Sequence, residues 1–494
     1  MARVKDLSRE LEEWRETIRS RAIAAGLDFF EVTYEMVDYN EVNEIAALGG
    51  FPQRYPHWRF GMEYDRLSKS YAYGLSKIYE MVINTDPCYA YLLTANSLME
   101  QKLVMAHVFG HSDFFKNNQT FAHTNRRMLD TMANHATRVR RHHEAVGVER
   151  VEEFMDACLS LDNLIDIHAP SIRRRREAKP EGEDPSLQVQ KIPVKSYLDK
   201  YVNSPEYIES QKQKIAEEKA KAKRFPESPE RDVLGFLLQN APLEAWQQDC
   251  LTIVREEALY FAPQGQTKIM NEGWASYWHS KLMTEGILSS AEIVDYADVH
   301  SGTMAVQPGG LNPYRLGLEL YKDIEERWNK GQFGKEWDEC DDYLARQTWD
   351  KKTGLGRQKI FEVRKLYNDV TFIDTFLTED FCRRKKLFTF ATNERTGEAE
   401  IESREFREIK QQLLAQLTNF GQPIIEVVDA NHLNRGELLL KHVFEGRDLR
   451  PDYTDATLRN LYAIWRRPVN LETIQEGKLV RLAWNGKESS RVEV

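Results

Sequence analysis

Apolar residues recur at helical spacing along most of the first 385 residues. In the first 25 residues, apolar positions lie three or four apart and charged side chains fill the positions between them. The four apolar residues are Leu7, Leu11, Trp14 and Ile18. This spacing predicts an amphipathic helix, because residues three and four apart share one face. The same periodicity returns at Val233 and continues to about Asp350, so this part of the chain is also predicted to be helical.

The segments between these helices are less regular. Residues 28–66 combine many aromatic and acidic residues with Gly-Gly and the proline-containing stretch FPQRYPHW, which predicts an ordered loop. Residues 70–145 contain little Gly or Pro. They are predicted to form two long helices broken at Asp86-Pro87 and a third helix at about 125–144.

The pattern changes at two further points. Residues 171–231, approximately, are rich in charge and poor in apolar residues, which predicts a solvated surface insertion. From about Lys386 apolar and polar residues alternate, which predicts strands with two helices between them. The predicted fold class is therefore mainly α. A helical domain over 1–385 carries the charged insertion, and a small α+β domain follows over 386–494.

Composition narrows the function classes. The 494 residues include 78 acidic and 68 basic side chains, and the net charge of −10 disfavours nucleic acid as the main ligand. The N-terminus is charged from the start, and no apolar stretch reaches the roughly 18 residues of a membrane span. We therefore expect a cytoplasmic protein without a secretory signal or a membrane-spanning segment.

The first candidate for chemistry is the sequence AHVFGH, which contains His107 and His111. Two histidines four apart on a helix lie one turn apart on one face, so both imidazoles can reach a single divalent metal ion. Glu100 lies seven residues before the first histidine and eleven before the second, which returns it to nearly the same face. These three groups in an otherwise apolar helix are costly to bury unless they are paired or bound to a metal.

A second candidate segment is NEGWASYWH, which contains Glu272 and His279. These two residues are also seven apart on one helix face, and Trp274, Tyr277 and Trp278 surround them. An acid among so many aromatic residues is expected to be buried and to need a partner. Two interpretations stay open for this segment: metal ligands, or a buried pair of Glu272 with His279 or an arginine that joins helices.

Together the two segments predict a zincin-like mononuclear site. His107, His111 and Glu272 are the expected Zn²⁺ ligands, with His279 as a further candidate. Metallopeptidases of the gluzincin type use HExxH, in which the Glu is the general base, but Val108 occupies that position here. If the site hydrolyses anything, another acid must therefore activate the water. Glu100 is the first candidate, and the further candidates are Glu35, Glu63, Glu256 and Glu257.

Two other possibilities concern the same region. The glycine-containing segment HSGTMAVQPGGLNPYR can place His300 or Tyr314 to stabilise an oxyanion, although a polar loop packed for shape is the alternative. The repeated Glu-x6-His pattern also permits a di-iron-type oxidase centre. Such centres normally use Glu-x-x-His, which neither segment contains, so this hypothesis ranks lower. Further polar residues that could line the same cavity are Asp113, Asn117, Asn118, His123, Asn125 and Asn312.

At these segments the chain resembles the bacterial stage V sporulation protein R (SpoVR) family. The resemblance is carried by HVFGHSDFFKNN, MNEGWASYWH, EVTYEMVDYNE and GFPQRYPHWRFGMEY, and it extends over roughly residues 5–490. It implies a role in forming the peptidoglycan cortex of spores, although members also occur in bacteria that do not sporulate. It also implies two partners, an AAA+ serine-kinase-like protein and a von Willebrand A-domain protein. It implies no particular reaction, so the metal site rests on the residues above.

We therefore expect a zinc-dependent hydrolase that acts on a peptide or amide substrate linked to the spore cortex or the cell wall. A cytoplasmic enzyme would meet a precursor, a recycled fragment or a protein rather than assembled wall. The alternative is a non-catalytic scaffold or regulator in a complex with the two implied partners, which Val108 favours. The di-iron-type oxidase is the third hypothesis.

Overall fold

The computed structural model describes six ranges of the chain: residues 6–72, 80–172, 204–222, 225–306, 310–392 and 399–494. Within them the protein is mainly helical and ends in a sheet domain, which confirms this part of the predicted fold class. The zincin-like architecture stays a prediction. Of the predicted charged insertion, residues 173–203 and 223–224 lie outside the described ranges, and Pro205–Ala222 forms a helix.

The residues group into two compact units. The first comprises Met1–Val148 and Tyr260–Gly421, and the second comprises Glu149–Leu259 and Gln422–Val494. In this division residues 386–421 group with the first unit. The domain boundary at residue 386 stays a prediction.

Helices account for most of the described residues. In chain order they are α1 (Arg9–Ala24), α2 (Tyr39–Ala47), α3 (Trp58–Ala72), α4 (Leu98–Asn117), α5 (Met128–Val146), α6 (Val148–Leu159), α7 (Pro205–Ala222), α8 (Val233–Asn240), α9 (Ala245–Gln266), α10 (Lys268–Leu282), α11 (Glu292–Thr303), α12 (Pro313–Lys330), α13 (Lys335–Asp338), α14 (Tyr343–Gln347), α15 (Gly356–Leu366), α16 (Asp369–Phe376), α17 (Glu379–Lys385), α18 (Phe406–Leu417) and α19 (Pro451–Trp465). Helices α10 to α18 lie wholly in the first unit. The positions of α1 and α5 confirm the helices predicted there.

A three-stranded sheet lies in the first unit. Strand β1 (Val32–Val37) pairs in parallel with β3 (Cys88–Leu93), and β2 (Glu80–Ile83) pairs antiparallel with the other side of β3. The buried Tyr34 hydroxyl donates a hydrogen bond to the Met105 carbonyl oxygen of α4 at 3.2 Å. One face of this sheet therefore packs on α4.

Two predictions for this region are wrong, the second of them only in part. The residues on either side of Asp86-Pro87 were predicted to be helical, but they form β2 and β3. Short apolar runs such as EMVI and CYAYLL do not distinguish a buried strand from a helix. Pairing decides between them: CYAYLL (β3) pairs with β1, and EMVI (β2) pairs with β3. The predicted loop over 28–66 is present mainly between α2 and α3, at Gly49, Gly50 and most of FPQRYPHW. Most of the rest of the range forms β1, α2 and the first part of α3, and a capping box between Asp38 and Glu41 begins α2.

The strands predicted after residue 386 are present. In the first unit β4 (Thr389–Thr392) pairs with β5 (Ala399–Ser403). The second unit contains β6 (Ile424–His432), β7 (Glu437–Val443), β8 (Val469–Gln475), β9 (Lys478–Trp484) and β10 (Ser489–Glu493), in the sheet order β10-β9-β8-β7-β6. Strands β7 and β8 are parallel and α19 lies between them in the chain, whereas the other pairs are antiparallel. The core of this unit includes Leu440, Leu461 and Leu471.

Three helices of the first unit approach so closely that glycine is required where they meet. Gly110 of α4 lies against α10, and a Cβ atom at this position would be 2.7 Å from the Cα of Ala275. Gly273 of α10 faces Gly317 of α12, and a Cβ atom on either would overlap the backbone of the other. These contacts place α10 directly between α4 and α12.

The N-terminus of α10 is capped by a residue from a distant part of the chain. The two carboxylate oxygens of Asp369, at the start of α16, accept hydrogen bonds from the backbone N–H groups of Ile269 at 2.8 Å and Met270 at 2.9 Å. N–H groups in the first turn have no acceptor within their own helix, and a carboxylate is favourable at that end. The cap therefore fixes the start of the helix that carries Glu272.

Replacing Asp369 by Ala is expected to lower the free energy of unfolding by about 2 kcal/mol, because two buried N–H groups lose their acceptor. Urea unfolding followed by circular dichroism measures this change. Asp374→Ala in the same helix is the matched control, since Asp374 is largely exposed and pairs with Lys410 at the surface. Its loss should cost at most about 1 kcal/mol. Equal losses in the two variants would argue against the cap.

Candidate metal centre

The two histidines of AHVFGH lie in the interior of the first unit. Helix α4 begins at a capping box, in which the Ser97 hydroxyl accepts from the Glu100 N–H and the Glu100 carboxylate accepts from the Ser97 N–H. The rest of α4 is buried over nearly its whole length. His107 is 3% exposed and His111 is 4% exposed. Both imidazoles are therefore removed from bulk water.

Glu272 of α10 meets both histidines. Its Oε2 atom lies 3.5 Å from His107 Nε2 and 3.5 Å from His111 Nε2. Among the described residues these side chains are the one group of three or more His, Cys, Asp or Glu whose ligand atoms all lie within 4.8 Å of one another.

The spacing of these three atoms suits a shared cation. Separations of 3.5 Å exceed the roughly 2.7–3.2 Å of an ordinary hydrogen bond. They match the value of about 3.4 Å between neighbouring ligands of a tetrahedral ion with bonds of about 2.1 Å. Two imidazole nitrogens and a carboxylate oxygen are also donors that Zn²⁺ accepts. The group can therefore hold a divalent cation.

The other ring nitrogen of each histidine has a partner on α10. His107 Nδ1 lies 2.8 Å from His279 Nδ1, and His111 Nδ1 lies 2.8 Å from the side-chain oxygen of Asn271. His279 Nε2 in turn lies 3.2 Å from His300 Nδ1 on α11. His279, a candidate ligand from the sequence, thus contacts His107 on the ring nitrogen that does not face Glu272.

Burial controls the charges in this region. It lowers the pKa of His111 to about 4, and repulsion from His107 adds to the effect. Burial, with the neighbouring imidazoles, holds the pKa of His279 well below its usual value, and burial also lowers the pKa of His300. These three rings are therefore neutral at pH 7, which is the form that binds metals.

Glu272 is the charged member of the group. Its own burial acts to raise the pKa of the carboxyl group. The interactions with His107 and His111 act in the opposite direction and outweigh burial, so the pKa lies below the usual value. The group therefore combines one negative charge with two imidazoles, which is the balance that a divalent cation completes.

The structure brings His300 and Tyr314 into this region. Tyr314, near the start of α12, stacks on His107 with ring centroids 6.2 Å apart. His300 contacts His279 and is stacked on Tyr296, with ring centroids 5.5 Å apart. His300 is half-buried, so the chain of imidazoles leads from the buried group toward solvent.

Glu100, the first candidate for general base, lies at the other end of α4. Its carboxylate accepts the Ser97 N–H at 2.7 Å. Seven residues of helix separate it from His107, which corresponds to about 10 Å along the axis. The shared face predicted from the sequence is present, but Glu100 is outside the three-residue group because the helical rise separates the two ends.

The other candidate acids are also not members of this group. Glu35 of β1 follows Tyr34, so it lies on the sheet face opposite the one that packs on α4. Glu63 lies on α3 and pairs with an arginine three residues later. Glu256 and Glu257 lie on the part of α9 that belongs to the second unit.

The polar residues that follow His111 have structural partners. Asp113 is fully buried, and its carboxylate accepts hydrogen bonds from Trp274 Nε1 at 2.7 Å and the Asp28 N–H at 2.8 Å. It also pairs with Arg364 at 3.2 Å. The side chains that bond to neighbouring backbone or polar groups are Asn117, Asn118, Asn125 and Asn312. His123 is exposed. None of these six side chains belongs to the three-residue group.

Sequence reasoning did not single out Asn271. It directly precedes Glu272, so the two residues point about 100° apart around α10. The side-chain amide of an Asn on a buried helix was the available signal, because a buried amide needs a partner. Only the position of α4 shows that this partner is His111.

Comparison with known proteins identifies the family. Residues 5–422 match the model described as SpoVR like protein, and residues 423–476 match the SpoVR-like C-terminal domain. The chain therefore belongs to the SpoVR family, which confirms the resemblance seen in its motifs. A relative in Escherichia coli (strain K12), with the name "Uncharacterized protein YcgB", is 28% identical over 496 residues, covering 92% of this chain and 90% of the relative. No solved structure matches the chain.

Among the helices that the structure describes, none combines the length and the apolar character needed to cross a bilayer.

Proposed function

We propose that this SpoVR family member is a zinc-dependent hydrolase of amide or peptide bonds. The observation that carries the proposal is the convergence of His107 Nε2, His111 Nε2 and Glu272 Oε2 in the interior of the first unit. Two histidines and one carboxylate are the ligand set of several zinc hydrolases, in which a fourth position stays open. A zinc ion held there would supply a water molecule with a pKa near 7 and would polarise a substrate carbonyl.

The protein's own residues would bind and orient the substrate. We assign to Tyr314 the stabilisation of the developing oxyanion, because its ring lies over His107 and its phenol can donate a hydrogen bond. We assign to His300 the transfer of a proton to or from solvent, because it is a half-buried neutral imidazole at the outer end of the histidine chain.

The substrate and partners are proposed from the family resemblance. We propose a cytosolic peptide or amide related to the cell wall as the substrate. The proposed partners are an AAA+ serine-kinase-like protein and a von Willebrand A-domain protein. The family membership supports this assignment, and the −10 net charge argues against nucleic acid as the main ligand.

A non-catalytic scaffold or regulator is the second candidate function. Val108 stands where HExxH enzymes have their general base, and its side chain is fully buried in the core of the first unit. A doubly substituted His107→Ala, His111→Ala protein separates the two functions. If it keeps both partners in a pull-down and complements a deletion strain fully, the scaffold is favoured. If it keeps the partners but does not complement, the metal group is required for function.

A di-iron-type oxidase is less well supported than a mononuclear site. Such centres use several carboxylates from four helices. The one ligand group among the described residues contains a single carboxylate, Glu272. Iron in the purified protein, with visible absorbance after exposure to air, would support the oxidase instead.

The direct test measures metal content and hydrolysis on the full chain. We expect about one equivalent of zinc by elemental analysis, and cleavage of cell-wall stem peptides or other short peptides that stops when a chelator removes the zinc. Glu272→Gln should lose both properties, because the amide does not supply an anionic ligand. Glu63→Gln, a surface change on α3, is the matched control. Cleavage that survives in Glu272→Gln and in the chelated protein would contradict the proposal.

A further inference from the structure

We infer that His279 and Asn271 are positioning residues, which hold His107 and His111 in the one tautomer that can bind a cation beside Glu272. The inference rests on the proposed zinc site. It gives His279 a role other than that of a ligand, and it gives Asn271 a role that the sequence motifs did not indicate.

The argument starts from the hydrogens of a neutral imidazole. Such a ring carries one hydrogen on its two nitrogens, and the nitrogen that binds a metal must be the bare one. His107 and His111 both direct Nε2 at Glu272, so binding there requires the hydrogen on Nδ1. Each Nδ1 atom has a polar atom 2.8 Å away that can accept this hydrogen.

For His111 the acceptor determines the tautomer. The side-chain oxygen of Asn271 has lone pairs and no hydrogen, so it can only accept. The hydrogen of His111 therefore lies on Nδ1, and its Nε2 lone pair points toward Glu272. Partners of this kind on the outer nitrogen of a ligand histidine fix the ring orientation and raise its basicity.

For His107 a chain of two further imidazoles can accept the Nδ1 hydrogen when Nε2 binds a cation. Two nitrogens 2.8 Å apart share one hydrogen, so His279 Nδ1 accepts when His107 Nδ1 donates. The hydrogen of His279 then lies on Nε2 and is donated to His300 Nδ1 at 3.2 Å. Donation in the reverse direction would place a hydrogen on His107 Nε2, where it would occupy the ligand position.

One helix supplies all of these groups. Asn271 precedes the ligand Glu272, and His279 follows it by two turns of α10. The cap from Asp369 and the close contact at Gly273 fix α10. A single rigid element thus carries the third ligand and the residues that orient the other two, and such support is what precise binding sites require.

The test compares zinc affinities of full-length variants by competition with a chelator. His279→Leu and Asn271→Leu remove the acceptors and should weaken zinc binding by about 10–100-fold. His279→Asn and Asn271→Asp keep an oxygen near the position of the lost acceptor and should recover most of that affinity. His123→Ala, which removes an exposed histidine, should bind zinc as the unchanged protein does.

The variants that restore an oxygen acceptor, His279→Asn and Asn271→Asp, separate a positioning role from a general effect on stability. If His279→Leu does not fold, the comparison of zinc affinity between Asn271→Leu and Asn271→Asp tests the inference. Two results would overturn the inference and leave the zinc site in place. The first is wild-type zinc affinity in both Leu variants. The second is an equal loss of affinity in a Leu variant and in its rescue variant, with the melting temperature unchanged in both. Absence of zinc binding by the unchanged protein would overturn the proposed function and this inference together.

Discussion

Replacing His111 by Ala is expected to weaken zinc binding by at least about 100-fold. Binding free energies of about 10 kcal/mol or more are typical of structural zinc sites, so each of three protein ligands accounts for about 3 kcal/mol. The substitution also removes the hydrogen bond to Asn271 and leaves Glu272 with one histidine. Elemental analysis of the purified variant and a chelator competition both measure this loss.

The control for this experiment is His123→Ala, which removes an exposed histidine twelve residues further along the chain. It should retain about one equivalent of zinc. The fold of His111→Ala should persist, since α4 keeps its other buried residues, and circular dichroism checks this. Unchanged zinc content in a folded His111→Ala protein would exclude the His107, His111 and Glu272 site.

Replacing Gly273 by Ala is expected to lower the free energy of unfolding by about 3 kcal/mol. A Cβ atom at this position would overlap the backbone of Gly317, so α10 and α12 must separate or shift. Because α10 carries Glu272, Asn271 and His279, the shift should also weaken zinc binding. Urea unfolding measures the first effect, and the chelator competition measures the second.

A matched control separates this contact from the usual effect of glycine in a helix. Gly61 of α3 has no atom within 4 Å of the position of a Cβ atom. Gly61→Ala should therefore be neutral or should stabilise the protein by up to about 1 kcal/mol, as expected from helix propensity. Stabilisation by Gly273→Ala of the same size would show that the two helices are not in close contact.

Local patterns in the sequence predicted several elements correctly. The periodicity before Ile18 marks α1, and alternation after residue 386 marks the strands of the C-terminal sheet. Local patterns gave the wrong element at EMVI and CYAYLL, because a run of four to six mostly apolar residues fits either a helix or a buried strand. Pairing decides their structure: CYAYLL pairs with β1, a segment about 50 residues away, and EMVI pairs with CYAYLL.

The group of His107, His111 and Glu272 likewise depends partly on local sequence pattern and partly on tertiary packing. The spacing of His107 and His111 determines that both imidazoles share a helix face, whatever the rest of the chain does. The sequence also marks Glu272 and His279 as buried polar residues in need of partners. It does not determine which of the two faces the histidines, since both lie on one side of α10.

What the sequence by itself determined is therefore the content of each face: two histidines on one helix, and a glutamate and a histidine on another. The tertiary structure alone decided that Glu272 meets the two Nε2 atoms, that His279 and Asn271 meet the two Nδ1 atoms, and that Glu100 is left at the far end of α4. The physical reason is that helical periodicity is a local property. Which side chains meet depends on where α4 crosses α10, and close packing at Gly110 and Ala275 sets that crossing.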